Sequence, residues 1–280
     1  MIEIRPLPGP FGAEVIGLEP KVPLDDVTCE QLRAAFDERS LLVFRGLDLS
    51  FDEQAYLTKM LIRREGDGVE PPTDNWYISN ERDDAAAPHG RLQFHADAMW
   101  AVQSFESLSL YGVAVDEPVV PTIFVGAADA LRRLPAELRA RIEGLHAAHT
   151  TGEVRRGDLR DVLLTAVDKP ITTEKPLVLL HPRTGVPLLY ASEQMTKGIV
   201  ELERAESEAL LAELFEVLYD PAFRVEHHWR EGDFVVWDNL ALQHARPNVA
   251  VDGPARTLRK AAHPMPSMST EEMPVYTGTK

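Results

Sequence analysis

Three observations predict a mixed α+β fold built on a β-sandwich or jelly roll. Strand-like segments lie towards both ends of the chain, with helical segments inserted between them. No repeat, low-complexity tract or linker divides the 280 residues, so residues 1–280 read as a single domain. The competing doubly wound nucleotide-binding fold requires a glycine-rich turn from strand into helix, and neither G-x-G-x-x-G nor G-x-x-x-x-G-K-S/T occurs.

Residues 1–24 carry Pro6, Pro8, Gly9, Pro10, Gly12, Gly17, Pro20 and Pro23, which leave room only for short strands and turns. Over residues 25–38, Val27, Leu32 and Phe36 form a helical stripe that Asp25 or Asp26 can cap. Leu41-Leu42-Val43-Phe44 is an apolar run closed by Arg45-Gly46, short enough for a buried strand. Ser50 and Glu53 make a capping box that opens a helix with Leu57, Met60 and Leu61 on one face. Residues 63–90 are polar and rich in breakers apart from the strand-like Trp76-Tyr77-Ile78-Ser79, and a long loop at this point is a natural substrate lid.

Residues 107–112 alternate as a strand, residues 118–122 follow, and two helical segments come next, Pro135 being the first residue of the second. Residues 150–175 carry no readable period. Residues 177–180 and 186–190 flank Arg183-Thr184-Gly185 as a hairpin. Leu211, Leu214, Phe215 and Leu218 mark an amphipathic helix within residues 201–219, and strands are expected at 223–228 and 234–237, joined at Glu231-Gly232-Asp233.

With 45 acidic residues against 29 basic ones the net charge is -16, which repels a phosphate backbone and argues against nucleic acid as a partner. No apolar run approaches the roughly 20 residues of a membrane-spanning helix, and the start lacks the apolar core of a signal peptide. The single cysteine, Cys29, cannot form an internal disulfide and reads as a packing residue. The expectation is a soluble, cytoplasmic protein with no membrane partner; a homo-oligomer is left open.

The chemistry starts at Phe94-His95-Ala96-Asp97. On an extended backbone His95 and Asp97 share a face, as two ligands of one metal must, and an imidazole with a carboxylate suits iron(II) while lacking the thiolates of structural zinc. His244, just past the strand that ends Trp237-Asp238-Asn239, is the third ligand candidate. Two histidines and one carboxylate form the facial triad that leaves positions free for co-substrate and O2. Twelve residues on, Arg256 is a planar donor suited to a carboxylate. Trp237, Asp238 and Asn239 read as a packed strand end that orients His244, and the pairs His146/His149 and His227/His228 as structural or exposed.

His95-x-Asp97, His244 after Trp237-Asp238-Asn239, and Arg256 together resemble the taurine dioxygenase (TauD/TfdA) family of Fe(II)- and 2-oxoglutarate-dependent oxygenases, which includes the aryloxyalkanoate dioxygenases. Phe11-Gly12-Ala13-Glu14-Val15-Ile16-Gly17, Leu41 to Gly46, Pro121-Thr122 and His181-Pro182-Arg183-Thr184-Gly185 resemble further segments of the family in the same order. The resemblance implies a double-stranded β-helix (jelly roll) core with flanking helices. It implies that His95, Asp97 and His244 bind Fe(II), that Thr122 and Arg256 hold 2-oxoglutarate, and that O2 is consumed with release of succinate and CO2. Asp97 implies oxygenation rather than halogenation, since related halogenases lack the carboxylate. Lys260 stands where members acting on small acids commonly have arginine, and Arg91 where taurine-acting members have asparagine; both are expected to bind a small anionic substrate. The alternative is a catalytically idle relative that binds a metal or a small acid.

Overall fold

The computed structural model describes residues 2–20, 23–62, 76–164 and 167–268. Its strands are β1 (Glu3–Pro6), β2 (Ala13–Ile16), β3 (Leu41–Phe44), β4 (Trp76–Ser79), β5 (Gly90–His95), β6 (Ser107–Val115), β7 (Thr122–Gly126), β8 (His146–Thr150), β9 (Thr172–Pro176), β10 (Val178–Leu180), β11 (Pro187–Leu189), β12 (Thr196–Ile199), β13 (Val225–His227), β14 (Phe234–Asp238), β15 (Leu242–Val249) and β16 (Arg256–His263). The helices are α1 (Asp26–Arg39), α2 (Phe51–Met60), α3 (Ala127–Arg133), α4 (Ala136–Ile142) and α5 (Arg204–Leu218).

The fold is a mixed α+β arrangement with a sheet-rich core. A seven-stranded sheet runs β1-β2-β3-β14-β6-β16-β4 and a four-stranded sheet runs β13-β7-β15-β5, with a smaller sheet β12-β8-β9 and the hairpin β10-β11. Every residue of β3 and β14 is buried, which is why both read as unbroken apolar runs rather than as alternation. Their side chains still alternate between two layers. Leu42, Phe44, Phe234 and Val236 pack against Leu32 and Phe36 of α1 and Leu57 of α2. Leu41, Val43, Val235 and Trp237 pack towards the four-stranded sheet, where Trp237 meets Phe124 edge-on with ring centroids 5.2 Å apart. The far side of that sheet presents Phe94, Val125 and Ala245 to Leu131, Leu138, Leu211 and Leu214 of α3, α4 and α5. The layers therefore run helices, sheet, sheet, helices.

Local signals place the helices. The Asp25 side chain accepts from Thr28 N at 2.9 Å to start α1, and the Ser50/Glu53 capping box forms as expected at α2. Pro135 sits one residue before α4, as its N-cap, rather than inside it. Residues 118–121 are not a strand. Pro118 and Pro121 have no N–H to give a ladder, and pairing begins only at Thr122. The unreadable stretch 150–175 ends in β9, whose pattern is polar because only one of its faces is covered. Of the expected lid, residues 63–75 lie outside the described residues, while residues 76–79 form β4, paired with β16. Among the described residues no helix is long and apolar enough to cross a membrane.

Gly112 lies in β6 where the 230–232 turn crosses it; a Cβ there would lie 2.5 Å from the carbonyl oxygen of Arg230. Gly112→Ala should lower the unfolding free energy by about 2 kcal/mol in urea titration. An unchanged midpoint would mean that the turn moves aside at no cost.

A candidate metal centre beside two buried arginines

His95 and His244 are cross-strand neighbours, paired in the β5–β15 register, with ring centroids 4.3 Å apart. His244 follows β14, as its sequence context suggested, and lies inside a further strand, β15, that the sequence did not show. Asp97 also differs from expectation, because β5 ends at His95 and the chain turns away from the sheet through Ala98 at φ 55°. The backbone N–H of Asp97 is taken by the Asn239 side chain rather than by a neighbouring strand. Asp97 converges on the imidazoles all the same: its Oδ1 is 3.2 Å from His95 Nε2 and 3.7 Å from His244 Nε2. One ligand atom from each of the three side chains falls within 4.8 Å of the others.

The protonation states suit ligation. His95 Nδ1 lies 2.8 Å from the carbonyl of Gln93, which can only accept, so Nδ1 donates to it and the ring turns Nε2 towards Asp97 and His244. Burial above all pushes His244 down to about 3, so its imidazole is neutral. Burial alone would raise the Asp97 carboxyl. The Lys260 ammonium is the largest influence against it, and Asp97 is held well below the usual carboxylate range. Two imidazoles and a carboxylate, with no thiolate, fit a borderline divalent ion with open positions.

Asn239 fixes the carboxylate-bearing residue from behind. Its Oδ1 accepts from Asp97 N at 2.9 Å, and its Nδ2 donates to the carbonyls of Asp97 at 2.9 Å and Phe105 at 3.0 Å. Its role is thus to hold Asp97, whereas Trp237 does contact His244, edge-on at 4.9 Å. Asp238 turns away from the centre and pairs with His181 and Arg183.

Arg256 and Thr122 come together as the sequence anticipates. Arg256 Nη2 donates to Thr122 Oγ1 at 3.3 Å, its Nε donates to the carbonyl of Val120 at 3.0 Å, and Trp229 Nε1 donates to the same Thr122 oxygen at 3.0 Å. Burial, and then repulsion from Arg246, push Arg256 down to about 9. Arg246 is also buried and donates to the carbonyls of Ala87, His89 and Gly90 at 2.7, 3.0 and 2.8 Å. The hydrogen bonds of both guanidiniums go to neutral oxygens. Two buried cations so supplied leave room in the charge balance for a bound anion.

Lys260 reaches the centre, where its ammonium forms an ion pair with Asp97 Oδ2 between the rings of Trp76 and Phe105, 5.4 and 5.2 Å from their centroids. Arg91 is engaged elsewhere. Its guanidinium donates to the carbonyl of Asp158, and its backbone bonds Asp161 and Leu163 on either side. Of the remaining histidines, His146 is exposed beside Glu201, His227 is buried against Asp233, and His228 is exposed. Cys29 is buried in α1. Trp229, Arg246 and the clamp role of Asn239 were not read from the sequence. Arg246 carried a signal, since it stands two residues after His244 and shares its face of an extended strand.

Comparison with known proteins agrees with this geometry. The profile of the family described as taurine catabolism dioxygenase TauD, TfdA family matches residues 3–262. An (S)-phenoxypropionate/alpha-ketoglutarate-dioxygenase of Sphingobium herbicidovorans is 29% identical over 260 residues, 86% of this chain and 88% of that protein. An alkylsulfatase of Acinetobacter baylyi is 27% identical, over 88% of this chain and 80% of its own. Among solved structures, a taurine dioxygenase from Burkholderia xenovorans superposes with a TM-score of 0.76 at 28% identity, covering 99% of this chain and 93% of that one. AAD-2 in complex with Mn(II) and N-oxalylglycine agrees in fold, with a TM-score of 0.75 at 23% identity and coverage of 95% and 99%. The chain belongs to the TauD/TfdA family of alpha-ketoglutarate-dependent dioxygenases.

Proposed function

We propose that this chain is an Fe(II)- and 2-oxoglutarate-dependent dioxygenase that oxidises, in the simplest case hydroxylates, a small anionic organic substrate and releases succinate and CO2. The observation that carries this reading is the convergence of His95, Asp97 and His244 next to a buried, uncompensated Arg256. In this reading the three side chains hold iron, which supplies the redox chemistry with O2. Arg256 and Thr122 hold the distal carboxylate of 2-oxoglutarate, and the facing sheets are the two walls of a double-stranded β-helix in a single domain. Substrate anionicity is supported by Lys260 at the metal centre and by relatives named for phenoxypropionate, 2,4-dichlorophenoxyacetate and sulfate esters.

Incubation with Fe(II), 2-oxoglutarate and O2 should release succinate, stimulated by some member of a panel of aryloxyalkanoates, alkyl sulfates and sulfonates. His244→Ala should abolish that release. Arg256→Met should raise the KM for 2-oxoglutarate about 30-fold, the equivalent of about 2 kcal/mol for a buried charge contact. No succinate across the whole panel would favour the idle metal- or acid-binding relative instead.

Asn239→Ala should weaken Fe(II) binding by about tenfold in anaerobic titration, because it frees both backbone groups of Asp97. Wild-type affinity would show that the loop holds its shape without the clamp. Lys260→Met should raise the substrate KM about tenfold and spare that of 2-oxoglutarate, the equivalent of about 1.4 kcal/mol. Arg91→Ala should change neither, since its guanidinium is bound to Asp158; a rise in substrate KM from that variant alone would move the substrate anion to the Arg91 side.

A further inference from the structure

Behind the loop that carries Asp97 lies a second cavity of about 290 Å³, lined by none of the three metal-ligand candidates. Val102, Leu179 and Leu240 form apolar walls, and Leu180, 65% exposed, stands at its rim. The polar side holds Ser104, Thr173 and Lys175. The Lys175 ammonium lies 5.3 Å from the ring centroid of Tyr190, which meets His149 edge-on at 5.3 Å. Tyr190 and His149 are buried, and His149 Nε2 has no hydrogen-bond partner among the described residues.

Among the described residues this is the environment of a cation without a counter-ion. Burial pushes Lys175 down to about 8. The same ammonium adds to burial in pushing His149 down to about 3. The two carboxylates of the lining do not answer it: Glu174 is exposed and alternates to the other side of β9, and Glu106 acts on His181, whose imidazole it helps to raise against burial after Asp238. An apolar body with one acidic end matches both halves of the cavity. We propose that it is a binding site for a small amphipathic carboxylate, an alkyl or aryl monoacid whose carboxylate meets Lys175 while its chain lies along Leu179 and Leu240. The site is separate from Arg256 and Lys260, although its polar wall backs the metal centre. Ser104 Oγ donates to the carbonyls of Asp97 and Ala98 at 2.9 and 3.2 Å, and Thr173 Oγ1 donates to that of Trp100 at 2.9 Å.

The test is calorimetric titration of octanoate into the full chain loaded anaerobically with Fe(II) and 2-oxoglutarate, with succinate and octanol as probes that lack the apolar tail and the charge. Octanoate should bind, and both comparison probes should bind at least tenfold more weakly. Lys175→Met should weaken octanoate at least tenfold and Lys175→Arg should recover part of the loss. Val102→Trp, which fills the cavity and leaves the lysine in place, should block binding, with thermal melting showing both variants folded. Lys260→Met should leave octanoate affinity unchanged. The proposal is overturned if octanoate does not bind, if it binds equally to Lys175→Met or to Val102→Trp, or if Lys260→Met is the variant that loses it.

Discussion

The turn from β14 to β15 is the constraint on which the rest of the centre depends. It takes the chain out of the seven-stranded sheet and into the four-stranded one within three residues. The Asp238 carboxylate holds it by accepting from the backbone N–H groups of Leu240 and Ala241, each at 3.0 Å. Asn239, at its apex, grips Asp97 across 142 residues of sequence. One short turn thus aims His244 from β15 and anchors the loop bearing the carboxylate. The left-handed conformation of Ala98 costs about 1 kcal/mol. The three hydrogen bonds of the Asn239 side chain, one accepted and two donated, each worth about 1 kcal/mol net, offset it. Neither half of the site has its shape until the two sheets have packed, because Asp97 owes its position to a residue of the other sheet's connection.

Electrostatics inside the molecule run against its composition. The chain carries a net charge of -16, yet beside the Lys260–Asp97 pair the interior holds Arg246 and Arg256, whose hydrogen bonds among the described residues go to neutral oxygens. A fold selected for stability alone would pair such cations or replace them with apolar residues, since a buried charge without a partner is destabilising. Their retention marks the region as a receptor for anions. The carbonyls around Arg246 and Arg256 set where each guanidinium lies without neutralising it. An incoming carboxylate therefore meets donors already oriented and needs little rearrangement of the protein.

The elements with cooperative local signals were legible in the sequence. The Asp25 cap, the Ser50/Glu53 box, the LLVF run of β3 and the leucines of α5 each express packing or capping against immediate neighbours, and the structure repeats them. β15 was not legible as a strand. Its sequence Leu-Gln-His-Ala-Arg-Pro-Asn-Val puts His244 and Arg246 on the face turned to the site, so the polar residues a reader takes for exposed are the buried ones. β9 was missed for the opposite reason, since it shows too little apolar surface to register. His95 and Asp97 do lie side by side, but β5 ends at His95 and Asp97 is held by the Asn239 side chain rather than by a strand partner. What local pattern cannot carry is a partnership such as Asn239 with Asp97, which exists only once distant segments are adjacent.

In the proposed reaction Lys260 shows how the same frame would bear on substrate choice. It lies opposite Trp76 in the β16–β4 register, so the sheet itself places an aromatic ring beside the ammonium, and Phe105 closes the other side from the segment just before β6. An arginine in that slot would offer a rigid, two-pronged donor that selects an anion by its hydrogen-bonding geometry. A lysine offers a compact point charge with no preferred planar partner. Steadied by two ring faces, the charge is fixed in place but not in direction. In the proposed reaction, then, an anion is selected here for charge and for the fit of its body against Trp76 and Phe105, while the guanidinium of Arg256 keeps the geometric discrimination for 2-oxoglutarate. The division follows from which side chain each strand brings to the centre, and it puts substrate specificity in the aromatic walls rather than in the cation.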